Sequence, residues 1–274
     1  MPGNALPSIL RFENVTVSFD GVEALSGVSF EAFEGESRVI LGAAGSGKTV
    51  LLKTALGLAK PDSGKVYAFG KDLTVMRERA LFDIRSKIGM LFQESALFDS
   101  LNIEENVAYP LLNQPSVHCP KEQVHPRVAQ ALEFVELGDT LEKFPSELSG
   151  GMRRRAAIAR AVVTEPPLVL YDSPTAGLDP ITAHTIMQLL IKERDTAQTT
   201  TLVVTQRYQD GNLIANFRYN SELRRLEPAR NGAKQKMRTT FMVLREGRLV
   251  FEGDQDRLEL SKDPYISKFV KKRV

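Results

Sequence analysis

Hydrophobic and polar positions alternate near the start of this chain and take helical spacing further on. Leu10 and Phe12, then Val15, Val17 and Phe19, stand at alternate positions among polar neighbours within residues 8–36. That pattern predicts antiparallel strands around an Asp20-Gly21 turn. Residues 37–41 read as a short strand and 49–58 as a helix. Pro61-Asp62-Ser63-Gly64 marks a turn before a strand over 65–69, and 88–93 returns to the core. Residues 94–149 change character: they carry Pro110, Pro115, Pro120 and Pro126 and short amphipathic patterns, with Val128, Leu132, Val135 and Leu137 along one. This predicts a helical subdomain. Beyond it, a helix over 152–163, a strand over 168–171, a helix over 181–194 and a strand over 201–205 precede a hairpin of 241–244 with 249–251 around Gly247. Alternating strands and helices predict an α/β fold with a mostly parallel sheet covered on both faces.

Gly42-Ala43-Ala44-Gly45-Ser46-Gly47-Lys48-Thr49 lies between a predicted strand and a predicted helix. It matches G-x-x-x-x-G-K-[ST] at every fixed position and has the strand–loop–helix setting that motif needs. Glycines let the backbone curl so that its N–H groups point inward at phosphate oxygens. The helix that follows, with Val50 in its first turn, adds its positive end. Lys48 supplies a mobile ammonium for the β/γ-phosphates and Thr49 a hydroxyl for Mg²⁺. Residues 42–50 are therefore the expected binding segment for a nucleoside triphosphate with Mg²⁺; the family resemblance below makes that nucleotide ATP.

Composition narrows the partners. The 274 residues are 42% hydrophobic, ample for a core. With 36 basic and 34 acidic residues the formal charge is +2, so no nucleic-acid partner is expected. The single cysteine, Cys119, excludes an intrachain disulfide and suits a reducing compartment. The N-terminus has no basic region followed by an apolar run, so no signal peptide is expected. No apolar stretch approaches the ~20 residues of a membrane span, so any role at a membrane would need another subunit to cross it.

Further along stands Leu148-Ser149-Gly150-Gly151-Met152. Together with the phosphate loop it resembles the signature of the ATP-binding-cassette family, the ATPase subunits of transporters. The usual fifth signature residue is Gln, from which Met152 departs. The resemblance implies one domain over 8–274: a P-loop NTPase core in 8–93 and 150–274 with an N-terminal antiparallel β-subdomain, and an inserted α-helical subdomain in 94–149. It gives Phe19 the place of the aromatic that stacks on adenine, although alternation with Val15 and Val17 would bury that ring. It makes Gln93 the sensor of Mg²⁺ and γ-phosphate, and Thr49, Gln93 and Asp172 the metal set. Ala176-Gly177-Leu178-Asp179 matches the loop that crosses the dimer interface. Ser149 with the amides of Gly150 and Gly151, beside Met152, forms a second anion nest at a helix start. In the family this nest faces the γ-phosphate held by another subunit, which implies a homodimer or heterodimer of ATPase subunits. Arg153, Arg154 and Arg155, which follow, read as a solvated face with ion pairs.

Two positions depart from the family at the chemistry. It places Glu directly after Asp172, where this chain has Ser173, and His after Thr205, where this chain has Gln206. Serine is no useful base at neutral pH, and glutamine cannot carry the charge of an imidazolium. Ser173, Gln206 and Gln93 thus occupy the positions of base, switch and sensor. Without a positioned base, hydrolysis should lose about 10²–10⁴ in rate while ATP binding survives. Asp179, Asp210 and His184 are the neighbours that could compensate, with His184 read as a surface residue of a helix. The alternative is a regulatory cassette that binds ATP without turning it over.

The stretch from Leu91 to Leu101, followed by Glu105-Asn106-Val107, is similar to the Mla-type ATPases of bacterial lipid trafficking, which work with Mce-domain proteins. This implies a groove for a helix of a membrane-spanning permease subunit, floored by Leu97, Phe98, Leu101 and Val107 and rimmed by Asp99, Glu104 and Glu105. It also implies a lipid-binding Mce-type partner and a place on the cytoplasmic side of the inner membrane. Residues 207–240 hold Arg218, Arg224, Arg225, Arg230, Lys234, Lys236 and Arg238 and read as a solvated surface insertion. Contact with anionic headgroups or a partner is the second reading, and the tail from Lys268 to Arg273 raises the same pair.

Overall fold

All five residues of Ser37–Leu41 are buried, and the chain is organised around them. In the computed structural model, which describes residues 7–229 and 238–270, the elements run in this order. First come β1 (Ser8–Phe19), β2 (Val22–Phe33), β3 (Ser37–Leu41), α1 (Lys48–Ala55), β4 (Ser63–Ala68), β5 (Lys71–Asp72), α2 (Glu78–Arg85) and β6 (Ile88–Leu91). Helices α3 (Ile103–Asn113), α4 (Lys121–Phe134) and α5 (Gly150–Val162) follow, then β7 (Leu168–Asp172), α6 (Pro180–Ala197), β8 (Thr200–Thr205) and α7 (Tyr208–Asn216). The chain continues through β9 (Phe217–Asn220), β10 (Arg225–Pro228), β11 (Thr239–Arg245), β12 (Arg248–Gly253), α8 (Gln255–Glu259) and α9 (Pro264–Val270).

A six-stranded sheet has the order β12-β11-β3-β8-β7-β6, parallel except for the β11–β12 hairpin. A four-stranded antiparallel sheet, β2-β1-β4-β5, stands apart from it. This is the expected α/β architecture of a P-loop core, a separate antiparallel sheet and a helical segment. Side chains alternate across the central sheet with period two. Val39, Leu41, Val169, Tyr171, Val203, Phe241 and Val243 join the core formed with α3–α7. Ile40, Leu168, Leu170, Leu202, Val204, Met242 and Leu244 join the core formed with β1, β2, β4, α1 and α2. Both faces are covered, which is why these strands read as continuous apolar runs.

Several sequence expectations need correction. Helix α1 ends at Ala55 rather than at residue 58, because Gly57 takes a left-handed φ of 64° and the amides of Gly57 and Leu58 turn back to Thr54 and Lys53. Val135 and Leu137 lie beyond the end of α4, yet both are buried. The 207–240 segment is no simple surface insertion. Its first part is α7, with Tyr208, Asp210, Gly211, Ile214 and Ala215 buried. Gly211 packs so tightly that a Cβ there would lie 2.6 Å from the Phe241 ring. Residues 217–228 form the β9–β10 hairpin, which carries Arg218, Arg224 and Arg225. The carbonyl of Arg238 accepts from the Ser37 amide at the head of β3. Arg230, Lys234, Lys236, Lys271, Lys272 and Arg273 lie outside the described residues. Among the described residues, no helix is long and apolar enough to cross a membrane.

Helix α6 carries a buried acid. Thr199 Oγ1 donates to Glu193 Oε1 at 2.7 Å, and Tyr171 lies beside it. Burial pushes the Glu193 carboxyl from 4.5 up to about 7. The native state therefore holds this proton more tightly than the unfolded chain does, and stability falls as pH rises from about 4.5 to about 7. Glu193→Gln should remove that loss. The variant's gain in unfolding free energy over wild type should be larger by about 2 kcal/mol at about pH 8 than at about pH 5, measured by urea denaturation at each pH.

Candidate nucleotide site

The phosphate loop is built by the exit of β3 into α1. Gly47, the residue before α1, has φ 101° and offers no side-chain cap. The first intrahelical bond runs from the Leu51 amide to the Gly47 carbonyl at 2.9 Å. Helix geometry leaves the amides of Lys48, Thr49 and Val50 without intrahelical acceptors, an open anion site with the helix dipole behind it. Lys48 Nζ lies within the loop, donating to the carbonyls of Gly42 at 2.8 Å and Ala43 at 2.7 Å and to Ser46 Oγ at 3.3 Å. Burial lowers its pKa, and the Asp172 carboxylate opposes that shift. Ala43, Ala44 and Gly45 are exposed at the mouth of the loop.

Parallel pairing brings the remaining groups to the same edge. Leu41 pairs with Thr205, Asp172 with Val204, and Leu91 with Tyr171, so β3, β8, β7 and β6 end together. Asp172 is buried at the end of β7, and its Oδ2 accepts from Thr49 Oγ1 at 2.8 Å. One hydroxyl and one carboxylate form an oxygen donor set that fits Mg²⁺, which leaves its other positions to phosphate and water. Among the described residues, no group of three or more His, Cys, Asp or Glu could form a cage of its own. Ser173 is buried in a left-handed conformation, φ 50°, and its Oγ donates to Asp172 Oδ1 at 3.1 Å. Gln93 and Gln206 are exposed just beyond the ends of β6 and β8. Phe19 is 52% exposed at the end of β1, so the alternation that would bury it fails at the strand tip.

Of the three candidate compensating groups, Asp179 and Asp210 are hydrogen-bonded into the fold. Asp179 caps α6, its Oδ1 accepting from the amides of Ile181 and Thr182 at 3.0 Å each. Hydrogen bonds from Thr182 are the main reason its carboxyl sits below the ordinary range. Asp210 is buried and accepts from Thr175 and Thr205 hydroxyls at 2.7 Å each, joining the loop after β7 to the end of β8. Its burial raises the carboxyl pKa, against the pull of those two hydroxyls. His184 is exposed on α6.

Helix α5 opens at the second glycine motif. Ser149 is its N-cap, with Oγ accepting from the Met152 amide at 3.2 Å. Ser149 and Gly150 are exposed, and Gly151 and Met152 are half-buried. Of the arginines behind them, Arg153 is exposed and Arg155 pairs with Glu136 at 3.9 Å, as a solvated face with ion pairs requires, but Arg154 is not solvated. Arg154 is buried, Arg153 donates to the Leu148 carbonyl at 2.6 Å, and Arg155 donates to the carbonyls of Val135 and Glu136 at 3.1 Å each. In the 97–107 stretch Val107 is core rather than groove floor. Phe98 is 41% exposed and packs against Tyr109, which is likewise exposed, with the two rings tilted by 42°. Glu105 closes a capping box with Asn102 at the start of α3, and Glu104 meets His125 at 2.6 Å.

One brace of the loop has no sequence signal. Tyr265 in α9 accepts from the Ala43 amide at 3.0 Å and donates to the Leu244 carbonyl at 3.1 Å. The Gly247 amide adds a bond to the Ser46 carbonyl at 3.1 Å. These partners lie too far apart along the chain for any local pattern to reveal them.

The sequence pattern of the ABC transporter family matches residues 25–176. The chain belongs to that family. It is an ATP-binding subunit of an ABC transporter. It is 33% identical to a probable ribonucleotide transport ATP-binding protein, mkl, of Mycobacterium leprae, over 96% of this chain and 69% of that one. It is 29% identical to the intermembrane phospholipid transport system ATP-binding protein MlaF of Haemophilus influenzae, over 96% of this chain and 90% of that one. A methionine import ATP-binding protein, MetN, of Carboxydothermus hydrogenoformans is 39% identical over 72% of this chain, which spans 58% of it. Among solved structures, the dimeric ATP-binding cassette MJ0796 in a post-hydrolysis state with ADP and Pi superposes with a TM-score of 0.75 at 30% identity, covering 89% of this chain and 98% of that one.

A Cβ at Gly47 would lie 2.3 Å from the Ala24 carbonyl oxygen. Gly47→Ala should therefore cost about 1–3 kcal/mol of stability and abolish nucleotide binding by displacing the loop. Thermal melts with and without MgATP should show a lower midpoint and no shift on adding nucleotide.

Proposed function

We propose that this ABC subunit serves a bacterial lipid transporter, works as a dimer closed over ATP, and hydrolyses ATP slowly with its own residues. The observation that carries the reading is a pair of anion-binding helix starts in one chain. The start of α1 is enclosed by its glycine loop, and the start of α5 is bare and exposed, with Ser149 Oγ committed to its own cap. An exposed nest of this kind is open to a phosphate from outside the chain. The dimeric state of the MJ0796 cassette supports this arrangement. Asp179, on the loop assigned to the dimer interface, is exposed beside the start of α6. Lipid as cargo is supported by the likeness to MlaF along almost the whole of both chains. The exposed Phe98–Tyr109 pair supports docking of a permease helix at that surface, and an Mce-type partner belongs to the same reading.

In this reading Lys48 and the amides of residues 45–50 hold the phosphates, Thr49, Asp172 and Gln93 face the Mg²⁺ that screens them, and Phe19 offers an exposed ring to the base. Slow hydrolysis follows from Ser173 and Gln206. The Ser173 hydroxyl is bonded to Asp172 and has no basic site to offer a water, and Gln206 brings no charge. The same two residues favour the second reading, a cassette that closes on ATP as a regulator.

ATP turnover should be measured on the purified chain and on its complex with a co-purified permease, before and after the joint change Ser173→Glu with Gln206→His. A gain of about 10²-fold is expected from restoring a positioned base. Ordinary transporter turnover by the unaltered chain alone would overturn slow hydrolysis. Tight MgATP binding with negligible turnover even in the complex would favour the regulatory reading.

A further inference from the structure

Arg154 sits in the first turns of α5, just behind the nest of Ser149, Gly150 and Gly151, and is only 6% exposed. Its hydrogen-bond partners lie off its own helix. Nη1 donates to the Phe92 carbonyl at 3.1 Å, one residue before Gln93. Nη2 reaches the Ala176 carbonyl at 3.5 Å, on the loop between Ser173 and Asp179. Nε is buried with no partner. An apolar side chain of similar length would fill this volume without an unpaired donor, so packing alone does not account for an arginine here.

Both loops are held by side chains from other elements, the loop after β7 by Asp210 as well as Arg154. Ser173 and Gly177 lie at positive φ in one, and Ser95 and Ala96 in the other. Such segments make few ladder hydrogen bonds and shift readily unless a side chain holds them. Arg160, further along α5, secures the far end of the Gln93 loop through the carbonyls of Ser95 at 2.9 Å and Ala96 at 2.8 Å. Helix α5 is thus a rigid rod with the nest at its tip and arginine ties to the Gln93 loop along its flank. Arg154 alone among these ties also reaches the loop after β7.

We propose that Arg154 is a positioning residue that couples the two nucleotides of the dimer, by holding the α5 nest, the Gln93 loop and the Ser173–Asp179 loop of one chain in a fixed relation. The inference rests on the dimer reading, in which the nest meets the partner's nucleotide while Gln93 faces the chain's own. A nest pulled into place by one phosphate then carries the Phe92 and Ala176 carbonyls with it and sets the loops that face the other. Coupling of this kind commonly changes affinity by several-fold to about a hundredfold.

The test uses the full chain with Arg154→Met and Arg154→Lys. Half-site affinity is read with fluorescent ADP at protein concentrations too low for dimers. ATP-dependent dimerisation is read by analytical ultracentrifugation, and cooperativity by the Hill coefficient for ATP. Wild type should dimerise with ATP and bind it cooperatively. Arg154→Met should keep its half-site affinity, dimerise about tenfold more weakly and bind ATP with a Hill coefficient near one. Lysine keeps the charge but cannot span both carbonyls, so Arg154→Lys should fall between; if the Met variant melts, the Lys variant carries the test. Wild-type dimerisation and cooperativity in the variants would overturn the proposal. Equal loss of half-site affinity and dimerisation would also overturn it, since local packing damage acts that way. Failure of wild type itself to dimerise with ATP would instead overturn the dimer reading, and the coupling with it.

Discussion

Parallel pairing of β3, β8 and β7 decides where the functional groups of this chain lie. Leu41 beside Thr205, and Val204 beside Asp172, place the phosphate loop, the Gln206 turn and the Asp172 carboxylate on one edge of one sheet. The arrangement holds because each strand buries both faces, one against α3–α7 and the other against the antiparallel sheet with α1 and α2. A slip of one residue would exchange those faces, so the register that packs the core also aligns the site.

At that edge, hydrogen bonds join segments far apart in the chain. Thr49 bonds Asp172, Thr175 and Thr205 share Asp210, and Tyr265 with Gly247 holds the phosphate loop from its C-terminal side. Buried polar groups need such partners, and a fully partnered network gives the loops one geometry. Ser173 belongs to this network, because its hydroxyl donates to Asp172.

Local patterns exposed much of this in advance. Period-two alternation revealed the β1–β2 pairing, short continuous apolar runs marked the central strands, and the glycine motif placed the loop between β3 and α1. The same reasoning failed where a residue's fate depends on what meets it from elsewhere. Three consecutive arginines look solvated in a linear string, yet Arg154 is buried because two loops bring carbonyls to it. The 207–240 segment looks like a basic insertion because its charges are dense, yet α7 inside it is core, packed through Gly211 against Phe241. Phe19 keeps the strand rhythm but stands at the tip, where no opposing layer covers it.

Residue type and short-range spacing, by themselves, determined the α/β class, the phosphate loop and the glycine pair at the start of α5. These depend on backbone freedom and side-chain chemistry within a few residues. Only the tertiary structure decided that Asp210 braces two loops, that Tyr265 touches the phosphate loop, and that Arg154 ties the nest to the loops of its own chain. Each of those contacts joins segments whose separation along the chain carries no signal, and they meet because the packed sheet brings its strand ends together.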